Sequence, residues 1–431
     1  MDRAPAEQRY ATIPGEFPGD RNRIIPSNSP LRHRIVPDKN LVNNTPDNTE
    51  RRLLHAKNMS QHFVGPVPYT KFADTYMKPY PGYKPVTSVA KKVLGLLDAI
   101  PLNPNLEKQM YGPLVECANG ISTNLKFFEA TDKIIDDEKL KVDPGAERKI
   151  GSSSKKDDTN GRRLLNMEVK RFDADDAFNH TFAESDVVKS LLEKPSENAQ
   201  KSLGQIVSYA SSQLARQHRH FLFSIWIFNT YARIIRWDRA GAIVTKPIYY
   251  RDDPAHFVDL FQRFDQMDDK QLGLDTSVTL ATDDEEKKLL DAVEKHKESV
   301  EENKSLPIPN VDLTLDKSFA SYKISVPVKN KPDCHYIVKR PFQAPSSLWG
   351  RRTRAYVAYG ITEECLVFLK DYWSPVEKDR DSEEKIYGEF NKYFKNQSDI
   401  RQHLPVVISS GDVRHKGTSD RRKYCNSEQA R

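Results

Sequence analysis

Residues 220–245 read HFLFSIWIFNTYARIIRWDRAGAIVT. Two runs within it, 221–228 and 231–237, are dense in aromatic and β-branched side chains, which favour an extended, buried chain. Asp238-Arg239-Ala240-Gly241 supplies turn residues, and 242–245 resumes the apolar pattern. This spacing predicts three consecutive strands at the centre of a core. After them, Phe257, Val258, Phe261 and Phe264 fall on one helical stripe. Before them, Ile206, Tyr209 and Leu214 mark the inward side of a helix over 199–217. Farther upstream, Leu165, Met167 and Val169 alternate with Asn166, Glu168 and Lys170, the pattern of a strand with one buried and one solvated face. Val89, Val93, Leu96, Leu97 and Ile100 form another helical stripe, and a helix over 106–117 is disturbed by Pro113. Helices, strand, helix, strands and helix in that order describe an α/β domain over 61–275.

The flanks read differently. Residues 1–60 are rich in Pro, Asn, Arg and Asp without apolar periodicity, which predicts disorder. Residues 276–310 carry a Glu/Lys helix pattern at 283–304, then Pro307 and Pro309, the signature of a charged linker or solvated helix. Within 311–415, strands are expected at 322–328, 334–338, 354–359 and 365–369, then a helix at 382–394. Residues 416–431 form a polar tail.

The chain has 431 residues, enough for about two or three domains. Lys plus Arg is 67 and Asp plus Glu 61, a net charge of +6 that permits an anionic partner such as nucleic acid without demanding one. No apolar run approaches the ~18 residues of a membrane span. Met1-Asp2-Arg3-Ala4-Pro5 leads into no apolar stretch, so the expectation is an intracellular protein, cytoplasmic or nuclear, with no membrane partner. Cys117, Cys334, Cys365 and Cys425 form no Cys-x-x-Cys pair and no zinc spacing, which fits reduced thiols.

Two constellations carry chemistry. Glu168 and Lys170 lie two apart on one strand, so both leave the sheet on the same face. Asp143 precedes them across a hydrophilic loop, with Asp136, Asp137, Asp157 and Asp158 as competitors, and Gln205 opens the following helix. An acid, then Glu-x-Lys, then a helix with Gln resembles the restriction-endonuclease-like superfamily. Two carboxylates, Asp143 and Glu168, would hold Mg²⁺ through oxygen. The metal and Lys170 would activate a water and stabilise charge on a phosphodiester. The bland alternative is a strand whose polar face is simply solvated. The second constellation runs from Gly350-Arg-Arg-Thr-Arg-Ala-Tyr-Val357 to Lys370, thirteen residues beyond Val357. Protein kinases cover ATP phosphates with such a strand–turn–strand and offer a lysine from the next strand, fixed by a helix glutamate. Lys370 takes the first role, and Glu383 is favoured over Glu384 and Glu389 for the second. Arg352 and Ala355 stand where two further glycines are expected, which hinders backbone approach to phosphate and makes ATP binding weak.

Taken together, these segments resemble the fungal-type protein kinases. The resemblance is carried by Gly204-Gln205-Ile-Val-Ser-Tyr209-Ala210, by Ala232-Arg-Ile-Ile-Arg-Trp237-Asp238-Arg239-Ala-Gly241, by Gly350 to Val357, by Phe368-Leu-Lys370-Asp-Tyr-Trp373 and by Gly411-Asp412-Val413. It implies an α+β chain: a restriction-endonuclease-like α/β domain followed by a protein-kinase-like amino-terminal lobe. The 61 residues after Lys370 contain no His-Arg-Asp and no Asp-Phe-Gly, so the expectation is a truncated kinase lacking phosphotransfer. The alternatives are a metal-dependent nuclease acting on nucleic acid and a non-catalytic protein that binds an unidentified protein partner.

Overall fold

The computed structural model describes residues 48–60, 62–129, 131–135, 140–142, 144–149, 163–180, 193–305, 307–328, 330–342, 348–349, 353–375, 383–401, 404–413 and 427–430. The first half contains helices α1 (Asn48–Met59), α2 (Tyr69–Tyr76), α3 (Lys91–Asp98), α4 (Tyr111–Ile121), α5 (Glu197–Arg216) and α6 (Pro254–Gln266). Its strands are β1 (Phe63–Val67), β2 (Leu125–Phe128), the separate hairpin β3 (Thr131–Ile135) and β4 (Leu140–Val142), then β5 (Gly145–Arg148), β6 (Leu165–Val169), β7 (Leu222–Ile227), β8 (Ala232–Asp238) and β9 (Gly241–Thr245).

One mixed sheet, ordered β1-β9-β8-β7-β6-β5-β2, lies between two helical layers. Its first face carries Leu165, Met167, Val169, Phe223 and Ile225 against α2, α4 and α6. Its other face carries Trp226, Ile235 and Trp237 against α1 and α5. Burial on both faces explains why β7 and β8 read as continuous apolar runs rather than as alternation. Helix α1 lies inside the stretch whose composition predicts disorder. Its Ala56 and Met59 are buried against α5, so tertiary packing overrides a weak local pattern. The 106–117 helix is in fact a 3₁₀ turn, Glu107–Met110, leading into α4, where Pro113 sits in the first turn and breaks no hydrogen bond.

Several residues of the quoted sequence motifs have structural roles in this domain. A Cβ on Gly204 would lie 1.8 Å from the Arg52 carbonyl oxygen, so only glycine lets α1 approach α5 this closely. Gly241 has φ +140°, and a Cβ there would meet the His62 carbonyl oxygen at 2.1 Å. Asp238 closes the preceding turn by accepting from the Ala240 amide at 2.9 Å. Trp237 donates from Nε1 to Ser224 Oγ at 3.1 Å.

The second half is an antiparallel sheet of β10 (Val278–Leu280), β11 (Tyr322–Val326), β12 (Cys334–Val338), β13 (Arg354–Gly360) and β14 (Cys365–Pro375). It is followed by α8 (Glu383–Tyr393) and extended past β14 by β16 (Ser427–Ala430) and β15 (Asp412–Val413). Helix α7 (Asp283–Glu301) forms within the expected helix pattern, but it is not solvated all round. Its Leu289 and Val293 are fully buried on Ile337, Val357 and Tyr359 of this sheet. A reciprocal Thr282–Glu285 capping box starts it. Glu285 and Glu286 then pair with Lys323 and Lys339 at 2.8 and 2.7 Å. The charged sequence concealed a narrow apolar stripe that needed only these few positions. Among the described residues, no helix is long and apolar enough to cross a membrane.

Candidate functional site

Glu168 on β6 and Lys170 just past its end face α5. Lys170 Nζ lies 2.5 Å from Glu168 Oε1 and donates to Gln205 Oε1 at 3.2 Å. Gln205 in turn donates to the Tyr209 hydroxyl at 2.9 Å, which fixes its amide. The helix thus packs back across the sheet and brings Gln205 to the Glu-x-Lys pair. The expected solvated face is corrected: Glu168 is 1% exposed. The reason is that α5 presents polar side chains to the polar row of β6. Asn166, for instance, donates to Gln213 Oε1 at 2.9 Å.

Asp143, Asp136, Asp137, Asp157 and Asp158 lie outside the described residues. Beside Asp143, the Pro144 carbonyl accepts from the Met167 amide at 2.8 Å. The acid the structure does bring near is Glu107, whose Oε2 is 3.7 Å from Lys170 Nζ. Its other oxygen accepts from the Tyr111 hydroxyl at 3.0 Å. No local spacing pointed to Glu107, because it arrives by a long-range contact from the turn before α4. Burial pushes the nearby Asp175 carboxyl above its usual range, opposed by Lys170 and Arg171. Lys170, between the Glu107 and Glu168 carboxylates, offsets one of their two negative charges. Among the described residues, no group of three or more His, Cys, Asp or Glu side chains is arranged to hold a metal ion.

In the second sheet, Lys370 Nζ meets Glu383 Oε1 of α8 at 2.5 Å. The pair borders an open groove of about 1090 Å³, also lined by Thr353, Ala355, Tyr372, Tyr387 and Ser410. The β13–β14 register sets Ala355 directly opposite Lys370, so both project into it. Lys370 also stands 5.1 Å from the Tyr372 ring centroid. Both charged groups are about one-third exposed, so the pair is a weak stabiliser and a movable one. Gly350 lies outside the described residues. Val357 does not join the groove: it packs beneath α7 with Leu289 and Val293. The motif spacing located Lys370 and Glu383 but could not foresee a helix from upstream covering the middle of the same sheet face.

Comparison with protein families matches the chain to the family described as fungal protein kinase, over residues 164–430. No curated protein and no solved structure matches the chain.

Proposed function

Because the chain belongs to the fungal protein kinase family, we propose that residues 311–415 form a kinase-like amino-terminal lobe whose groove takes the phosphates of ATP. The observation that carries this reading is the 2.5 Å contact between Lys370 and Glu383, a strand lysine and a helix glutamate at the mouth of a large groove. In kinases that pairing orients the lysine toward the α- and β-phosphates, while Mg²⁺ is held by residues of a later segment. Here Lys370 supplies the cation, Glu383 holds it in place, and the Tyr372 ring supports it from beside. Titration with a fluorescent ATP analogue is the test. Binding is expected to be weak in the wild-type chain and lost in Lys370→Met. Equal affinity in the two proteins would remove the groove as the nucleotide site. Since no His-Arg-Asp follows Lys370 in these 431 residues, we expect the chain to bind nucleotide without transferring phosphate.

A second reading rests on the Gln205–Lys170 contact at 3.2 Å, which assembles three members of the restriction-endonuclease-like constellation on one face. The element order α4, β2, β5, β6, α5, β7, with β6 parallel to β7, is compatible with that fold. Asp143 and Glu168 would be the metal-holding acids. On this reading the chain cleaves DNA or RNA in Mg²⁺, and Glu168→Gln abolishes the cleavage. Inactivity of the wild-type chain across both substrates and several divalent ions would leave the cluster as a structural ion pair.

A further inference from the structure

The two halves meet across a buried polar seam, and the seam reaches the groove through the paired strands β13 and β14. Successive residues of a strand point to opposite faces. Lys370 faces the groove, so its neighbour Asp371 faces away from it, toward the first domain. Arg354, directly opposite Asp371 in the β13–β14 register, shares that face. Arg354 and Asp371 are 6% and 3% exposed. The Arg354 guanidinium donates to the Leu214 and Gln217 carbonyls at the end of α5, the latter at 2.6 Å, and to His218 Nδ1 at 3.1 Å. It stands 3.7 Å from Asp371 Oδ2, and His218 Nδ1 is 3.9 Å from the same carboxylate. The carbonyls at a helix end lack intrahelical partners, and the helix dipole there favours a cation. Arg354 therefore caps a first-domain helix with a side chain from the second sheet.

A second anchor lies just ahead in sequence. Leu348 is buried in the aromatic cluster of the first domain with Trp226, Phe228 and Trp237. Its carbonyl accepts from Arg239 at 3.1 Å. Trp349 stacks on His62 with ring centroids 4.5 Å apart and donates to the Asn58 carbonyl at 2.9 Å. Arg239 also lies over the Trp373 ring, 5.3 Å from its centroid.

We propose that Arg354 and Asp371 are positioning residues for the nucleotide groove. Clamped on the end of α5, this cross-strand pair sets the pose of β13 and β14 from behind, so that Lys370 on the opposite face meets Glu383. The proposal rests on the reading of the groove as a nucleotide site. A misplacement of about 1 Å in such a group can cost up to about 100-fold. Lysine is no substitute for Arg354, because one ammonium cannot span two carbonyls and an imidazole as a planar guanidinium does.

The test is the double variant Arg354→Met/Asp371→Leu in the full chain. Removing both charges takes out the cross-strand pair as a unit and leaves Arg239 with Asp238 as counter-charge, but it uncaps the Leu214 and Gln217 carbonyls, so the protein is expected to fold with a lowered melting temperature. Affinity for a fluorescent ATP analogue is expected to fall by about tenfold or more. Hydrogen exchange in the peptide containing Leu366 to Tyr372 is expected to speed up, with β7 and β8 unchanged. A folded double variant with wild-type affinity, or with wild-type exchange in that peptide, would overturn the proposal. Lys370→Met separates the two readings. Should the wild-type chain bind the analogue no better than Lys370→Met, the nucleotide reading fails, and the exchange measurement alone decides whether the pair positions the strand. Should the double variant fail to fold, the same two measurements on Asp371→Asn, which keeps the shape and removes one charge, give the decision.

Discussion

Asp176→Ala is expected to destabilise the first domain by about 3–5 kcal/mol, the range for removing one partner of a buried ion pair. Asp176 and Arg233 are both fully buried. Asp176 Oδ2 accepts from Arg233 Nε at 2.7 Å and from the Tyr231 hydroxyl at 2.9 Å, while Oδ1 accepts from the Phe178 amide at 2.9 Å. Without the carboxylate, Arg233 keeps its bond to the Thr245 carbonyl at 2.6 Å but loses its counter-charge among aromatic rings. Asp176→Asn retains the hydrogen-bonding shape and should cost less. Denaturant unfolding followed by tryptophan fluorescence reads both, and an unchanged midpoint for Asp176→Ala would contradict the account. The same site gives a pH dependence. Burial pushes the Asp176 carboxyl up, but its bonds to His180, Arg233 and the Phe178 amide outweigh burial and hold it below its usual range. A depressed folded value contributes stability that is full above the unfolded value, about 3.9, and is lost as pH falls through the folded one. Acid unfolding of Asp176→Asn should lack that component.

Val169→Asp is the second large effect. Val169 is fully buried on the apolar face of β6 and sits opposite Ile227 in the parallel β6–β7 register. A carboxylate there has no partner and must either stay charged in a dry core or take up a proton, at a cost of about 4 kcal/mol or more. Loss of soluble expression, or a large drop in melting temperature, is the expected result. A melting temperature equal to wild type would mean that the strand does not bury this face.

The apolar half of this molecule was legible because hydrophobic periodicity records it. The strands around Trp226 and Trp237, and the stripe at Leu165, Met167 and Val169, follow from it directly. Periodicity is silent where polar meets polar. Asn166, Glu168 and Lys170 look solvated until α5 is seen to answer them with Gln205 and Gln213. Helix α7 looks like a linker because two fully buried positions, Leu289 and Val293, anchor nineteen residues of charge. The Lys370–Glu383 pair was readable from motif spacing, since a strand and the helix after it meet locally. Glu107 was not, because nothing nearby in the chain encodes its approach to Lys170. The family's Arg-x-x-Arg-Trp-Asp-Arg-x-Gly run is explained by construction: Arg233 pairs with Asp176, Asp238 and Gly241 make the turn, and Arg239 reaches across to Leu348.

That last contact has a consequence for how the protein is made. The aromatic socket is complete in sequence once β9 has been synthesised, yet Leu348, which fills it, comes about 100 residues later. At about 5–20 residues per second, the ribosome leaves the socket without its plug for roughly 5–20 s. During that interval the nascent first domain carries an apolar cleft that only its own unborn segment, or a chaperone, can cover. Each molecule therefore passes through a vulnerable stage whose length is set by the rate of translation.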